Sequence, residues 1–263
     1  MLERFRKAKA AEIAALEKLT AQGNMPHAYA GPRPSLRTAL TAGTQGAVMA
    51  EYKRASPSQG DLNLALTPEE AAAAYARNGA AAISVLTEEH YFKGHPDYLG
   101  RMAAPGLPLL RKDFILHPLQ AEQTAATPAA ALLLIARLLD DQALRAVARR
   151  SLDMGLEIVA EIFDAGDLAR MRRLMGNHSL IQVNNRDLER LEVDPNRSAA
   201  LIRSKKPGEC WICASGITGP EQLARMFSLG FDAALIGSAL MRSKDPGQAL
   251  SALLKRKNHA DAV

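Results

Sequence analysis

Cysteine is scarce in this sequence, with Cys210 and Cys213 the only two. A CxxC pair can mark a redox centre or part of a zinc site, but Cys210-Trp-Ile-Cys213 lies in an apolar, strand-like run. Residues three apart on a strand point to opposite faces, and one pair supplies at most half of a structural zinc site. Both are therefore read as core thiols. No apolar run approaches the ~18 residues of a membrane span, and no signal peptide opens the chain. It begins instead Met1-Leu-Glu-Arg-Phe-Arg-Lys7, charged and amphipathic. A cytoplasmic protein with no membrane partner is expected. A strong excess of one charge is missing too. Lys plus Arg number 33 against 28 Asp plus Glu, a formal net charge of +5. The excess is scattered, with no basic stripe and interleaved aromatics, which argues against nucleic acid and suits a small anionic ligand. The densest basic run, Lys255-Arg-Lys257, reads as a solvated helix end. There is no GxGxxG after the first strand, no HExxH, no low-complexity segment and no repeat beyond the β/α unit.

What is present is ample core material: 48% of the 263 residues are hydrophobic and 23% charged, so a large interior can form. Short apolar runs alternate with amphipathic helical stretches, the pattern of a parallel sheet covered by helices. The strand candidates are 47–53, 81–86, 107–112, 131–135, 156–161, 179–184, 210–214 and 233–237. Helix starts are marked at Thr67-Pro-Glu-Glu70, Asp140, Asp164, Thr218-Gly-Pro-Glu221 and Asp245-Pro246, and Gly79, Gly155 and Gly230 read as stops. Eight units in a chain near the ~250 residues of one α/β barrel favour a closed (β/α)8 TIM barrel over an open sheet. Residues 1–45 are too short for a core of their own. They are read as a helical extension of a single domain spanning 1–263, with Leu2, Phe5, Ala8 and Lys9 opening one amphipathic helix and Ser35 capping another.

The functional signal is positional. In such a barrel, catalytic groups gather where the strands end, while the rest of the interior is apolar. Here the strands end in residues their apolar bodies do not explain: Glu51 and Lys53, Lys112, Glu161 and Asn184. If Met49 points inward, so do Glu51 and Lys53. Any one of these could be the solvated start of a loop. Together they are a candidate catalytic mouth, because gathered ammonium and carboxylate groups make acids and bases that work near neutral pH. After strands seven and eight, Ser215-Gly216-Ile-Thr-Gly219 and Gly237-Ser238 place glycines and hydroxyls where barrels commonly hold phosphate.

Five segments, in order, resemble the indole-3-glycerol phosphate synthase family: Ala50-Glu-Tyr-Lys-Arg-Ala-Ser-Pro-Ser58, Leu86-Thr-Glu-Glu-His-Tyr-Phe-Lys-Gly94, Leu110-Arg-Lys-Asp-Phe-Ile115, Val183-Asn-Asn-Arg-Asp-Leu188 and Ala214-Ser-Gly-Ile217. The resemblance implies ring closure of 1-(2-carboxyphenylamino)-1-deoxyribulose 5-phosphate, with loss of CO2 and water and no need of cofactor or metal; a monomer is expected. It implies that Lys112 is the general acid, Glu161 the general base and Lys53 the partner of the substrate carboxylate, with a share in the dehydration. Glu51 and Asn184 would orient lysine and substrate, Phe92 and Phe114 would wall the aromatic ring, and Arg186 would brace the rim. Ser56, Ser215, Gly216, Gly237 and Ser238 would hold the phosphate. Three positions depart from the family pattern, the first being Ala55, where a lysine is common. Ala214 stands where a glutamate is usual, and Gln182 stands where glycine is usual. Gln182 is expected to reach into the barrel and partly fill the volume left at Ala214. Two rival readings stay open: a phosphoribosyl isomerase, which would rely on Asp or Cys at strand ends, and a barrel that binds sugar phosphates without turnover.

Overall fold

A computed structural model describes residues 2–176, 179–187 and 190–255. Leu188 of the sixth-strand motif and Arg256 and Lys257 of the basic tail lie outside them. Eight parallel strands form a closed barrel: β1 Ala47–Tyr52, β2 Ala82–Leu86, β3 Leu109–Lys112, β4 Ala131–Ile135, β5 Glu157–Ile162, β6 Ser179–Asn184, β7 Trp211–Ala214 and β8 Ala233–Ile236. Each pairs with its neighbours in sequence, and β8 closes on β1 with Ala50 opposite Ile236. Bounds shift from expectation by one or two residues. The third strand starts at Leu109 because Pro108 has no N–H to give a ladder.

Alternation sorts the strand residues into two shells. Met49, Ala82, Leu110, Leu133, Val159, Leu180, Ile212 and Leu235 pack with one another inside the barrel. Val48, Ile83, Leu109, Leu132, Ile158, Ile181, Trp211 and Ala234 pack outward, under the helices. The two cysteines divide accordingly, Cys210 joining the inner cluster and Cys213 the outer. Both are buried and unpaired.

The helices begin where the sequence marks them. Thr67 makes a full capping box with Glu70, and Asp140, Asp164 and Asp245 each accept from the backbone N–H three residues on. Thr218 is the exception: Gly219 is the cap and makes no side-chain bond, while the Thr218 hydroxyl pairs with Gln222. Gly155 and Gly230 end their helices at φ of 72° and 103°, which a residue with a Cβ rarely adopts.

Two N-terminal helices complete the wall. The second, α2 (Leu36–Thr41), is capped by Ser35. It sends Leu36 and Leu40 into the inner core and turns its first N–H groups onto Glu157 at the start of β5. A carboxylate at a helix N-terminus is favourable there, and the contact covers the lower end of the barrel. The first, α1 (Leu2–Ala21), lies at the other end. Phe5, Lys9 and Leu16 are its buried positions, and Arg6 donates to the Leu138 carbonyl in the loop after β4.

Candidate active site

The C-terminal ends of the strands surround a cavity of about 410 Å³. All thirteen residues singled out from the sequence line it: Glu51, Lys53, Ser56, Phe92, Lys112, Phe114, Glu161, Asn184, Arg186, Ser215, Gly216, Gly237 and Ser238. They meet because every parallel strand delivers its last inward residue to the same rim.

Two ion pairs stand in the mouth. At the end of β1, Glu51 and the residue just past the strand, Lys53, come together, with Lys53 Nζ 2.8 Å from Glu51 Oε1. Glu51 is buried and Lys53 mostly so. The backbone of Gly237 passes so close that a Cβ there would overlap Glu51 Oε1. Glycine at this position therefore makes room for the carboxylate as well as shaping the loop. Across the mouth, Lys112 Nζ lies 3.5 Å from Glu161 Oε2. Gln182 Nε2 donates to the same Glu161 oxygen at 2.5 Å. Gln182 is fully buried, does not line the cavity and spans to β5, so it does not fill the space beside Ala214 as expected. The register explains this, since Gln182 is directly opposite Glu161 in the β5–β6 ladder.

Lys112 is held by its neighbours on the strand. The Arg111 and Asp113 side chains are buried in a charged network. Asp113 meets Lys9 at 2.6 Å, Arg111 at 3.1 Å and the Thr87 hydroxyl at 2.5 Å, and it accepts from the Phe114 N–H. Arg111 also reaches Glu12 and Gln123. Burial alone would raise the Asp113 pKa, but the Arg111 and Lys9 charges outweigh it and hold the carboxyl below its ordinary range.

One wall is apolar. Phe114 lies 6.2 Å from Phe92, and Phe5 of α1 stacks on Phe114 at 4.0 Å and 17°. Leu133, Ile135 and Leu235 complete it. Phe92 is fixed by Glu88, a buried carboxylate that caps Glu89–Phe92 by accepting from the N–H groups of His90, Tyr91 and Phe92. Phe5 and Glu88 were not anticipated from sequence. The helical period placed Phe5 on a buried face, but nothing local said that this face reaches the mouth.

The opposite side is polar. Ser215 and Gly216 turn in succession with φ of 71° and 87°, and Gly237 precedes the four-residue helix Ser238–Met241. Consecutive N–H groups in such turns form concavities that favour anions. The buried Ser56 hydroxyl has no protein partner. Asn184 accepts from the Arg186 N–H, and Arg186 donates to the Leu191 carbonyl. Burial pushes the Arg186 pKa below its ordinary value while nearby Glu51 pulls it back up. Among the described residues, no group of three or more His, Cys, Asp or Glu is placed to hold a metal ion, and no helix is long and apolar enough to cross a membrane.

A sequence model of the family described as indole-3-glycerol phosphate synthase matches residues 2–253. The synthase of Albidiferax ferrireducens is 43% identical over 224 residues, covering 83% of this chain and 82% of the relative. That of Carboxydothermus hydrogenoformans is 41% identical over 225 residues, covering 84% of each. A solved 3-hexulose-6-phosphate synthase from Salmonella typhimurium aligns with a TM-score of 0.57 at 16% identity, over 79% of this chain and 98% of that one. At that identity the likeness speaks for the barrel fold alone. With a family match over nearly its whole length, this chain belongs to the indole-3-glycerol phosphate synthases, carboxy-lyases of tryptophan biosynthesis.

Proposed function

We propose that the two ion pairs divide the acid and base steps of the synthase reaction on 1-(2-carboxyphenylamino)-1-deoxyribulose 5-phosphate. The observation that carries this reading is the meeting of Lys53–Glu51 and Lys112–Glu161 in one cavity, with aromatic rings on one side and glycine-serine turns on the other. The turns and Ser56 take the phosphate, and Phe5, Phe92 and Phe114 take the benzoate ring. Fixing both ends holds the ring carbon that bears the carboxylate against the sugar ketone. Lys112 protonates the ketone oxygen as the carbon–carbon bond forms. CO2 then leaves, restoring the aromatic ring, and the apolar wall favours that loss by stabilising a carboxylate poorly. Lys53, having held the carboxylate, protonates the new hydroxyl, which leaves as water with a push from the ring nitrogen. Glu161 removes a proton from the adjacent methylene carbon, and the indole is complete. Glu51 and Asn184 orient Lys53 and the substrate, and Arg186 braces the rim.

The same reading takes residues 1–263 as one barrel domain with 1–45 as its extension. It acts as a cytoplasmic monomer on a small phosphorylated substrate, with no nucleic-acid or membrane partner and no cofactor or metal in the scheme. The test is indole fluorescence after mixing purified protein with the substrate. K112A is expected to lose at least about 10²-fold in kcat, the scale of one acid–base group, while still binding substrate. Turnover retained in K112A rejects the assignment, and a folded parent that forms no indole favours a barrel that only binds.

A further inference from the structure

One polar side chain inside the barrel is unused by that scheme. Gln182 is fully buried in mid-β6, where Leu180 and Ile212 show what the interior otherwise holds. Half of its amide is bonded: Nε2 donates to Glu161 Oε2 at 2.5 Å. The other half is not, since Gln182 Oε1 has no hydrogen-bond partner. A buried carbonyl without a partner is costly, and an apolar side chain of the same volume would avoid that cost. Packing does not account for glutamine here, so the bonded half carries its use. That half places a neutral donor on a carboxylate which also faces an ammonium. Lys112 Nζ stands 3.5 Å from the same Oε2, too long for a tight charge-assisted bond.

We infer that Gln182 is a positioning residue: it ties down Glu161 through Oε2, leaves Oε1 to take the proton, and keeps Lys112 and Glu161 from closing into a tight ion pair. An acid and a base bonded tightly to each other would exchange a proton between themselves, and neither would be free for substrate. The directly opposed register of the two residues lets a side chain of glutamine length span the strands. This inference rests on the reading of Glu161 as base and Lys112 as acid.

The test is Q182M, which keeps the length and volume and removes the donor, with Q182L alongside should Q182M fail to fold. The expected result is a fall in kcat of about 10–100-fold, the scale of a small misplacement of a catalytic group, with KM within twofold and the melting temperature within a few degrees of the parent. A residue acting through Glu161 loses its effect once Glu161 is gone, so Q182M added to E161Q is expected to leave the residual rate unchanged. Parental kcat in the folded single variant, or the same fold-loss in both backgrounds, overturns the positioning role. Full turnover in E161Q alone is a different failure: it removes the base assignment and this inference with it. An inactive E161Q beside a fully active Q182M removes the inference only.

Discussion

Lys9 offers a way to measure what ties α1 to the mouth. Its ammonium is buried on a helix, 2.6 Å from both Asp113 and Glu12. Replacement by methionine keeps the stem and removes the charge. Breaking a buried pair by deleting one partner costs about 3–5 kcal/mol. Asp113 keeps Arg111, Thr87 and the Phe114 N–H, which argues for the low end, about 3 kcal/mol. In a chain of this size each kcal/mol moves Tm by about 2–4 °C, so K9M is expected to melt about 6–12 °C lower at pH 7.

The pH dependence has a definite sign. Arg111 and Lys9 outweigh burial and hold the Asp113 carboxyl below its unfolded value, which is ~3.9. A carboxylate depressed in this way contributes its stability above the unfolded pKa and loses it as the pH falls through the folded one. The gap between parent and K9M is therefore full at pH 7 and at pH 5, and narrows below about pH 4. Thermal melts by circular dichroism across that range measure it. A K9M protein melting within about 2 °C of the parent at pH 7, or a gap constant into acid, would refute the reasoning.

Other perturbations separate packing from chemistry. In G237A the new Cβ overlaps the Glu51 carboxylate and must break its contact with Lys53; kcat/KM is expected to fall about 10–100-fold with a stability cost of only about 1–3 kcal/mol. Parental kinetics in G237A would show that Glu51 can move without consequence. F5A removes a ring stacked on Phe114; it should cost about 3–5 kcal/mol and raise KM, with F5L restoring most of the stability. An unchanged KM would take Phe5 out of the substrate wall. Burial pushes the Cys210 thiol up to about 12 and raises Cys213 too, so a thiol reagent at pH 8 should label neither until the chain unfolds. Mass spectrometry reads this directly, and prompt labelling of native protein would contradict it.

The barrel and most of its mouth were legible in the sequence for a simple reason. Period-two alternation fixes which strand residues face inward, and parallel connection sends every strand end to one rim, so Lys53, Lys112, Glu161 and Asn184 could be brought together without coordinates. What could not be read depends on contacts between distant segments. The periodicity of α1 groups Phe5 with Lys9 on one face, but it says nothing of Asp113, the distant carboxylate that the Lys9 ammonium meets. Gln182 was expected to lean toward Ala214, and only the ladder register turns it to Glu161. Thr218 looked like a cap, yet the chain enters the helix one residue later, at Gly219.

The same alternation explains how stability and chemistry come to share β3. Arg111, Lys112 and Asp113 are consecutive: Lys112 reaches into the cavity, while the Arg111 and Asp113 side chains are buried in the network that holds α1. The backbone of the proposed acid is clamped by buried charges, and α1 brings Phe5 to the wall through that same clamp. At the lower end the arrangement differs. Glu157 holds the α2 N-terminus at the start of β5, a strand length away from Glu161. Loosening that contact is expected to disturb the barrel floor and spare the mouth, whereas loosening Lys9 is expected to disturb the Phe5 wall and the strand that carries Lys112. The N-terminal segment is thus two devices, one that seals the fold and one that is part of the site.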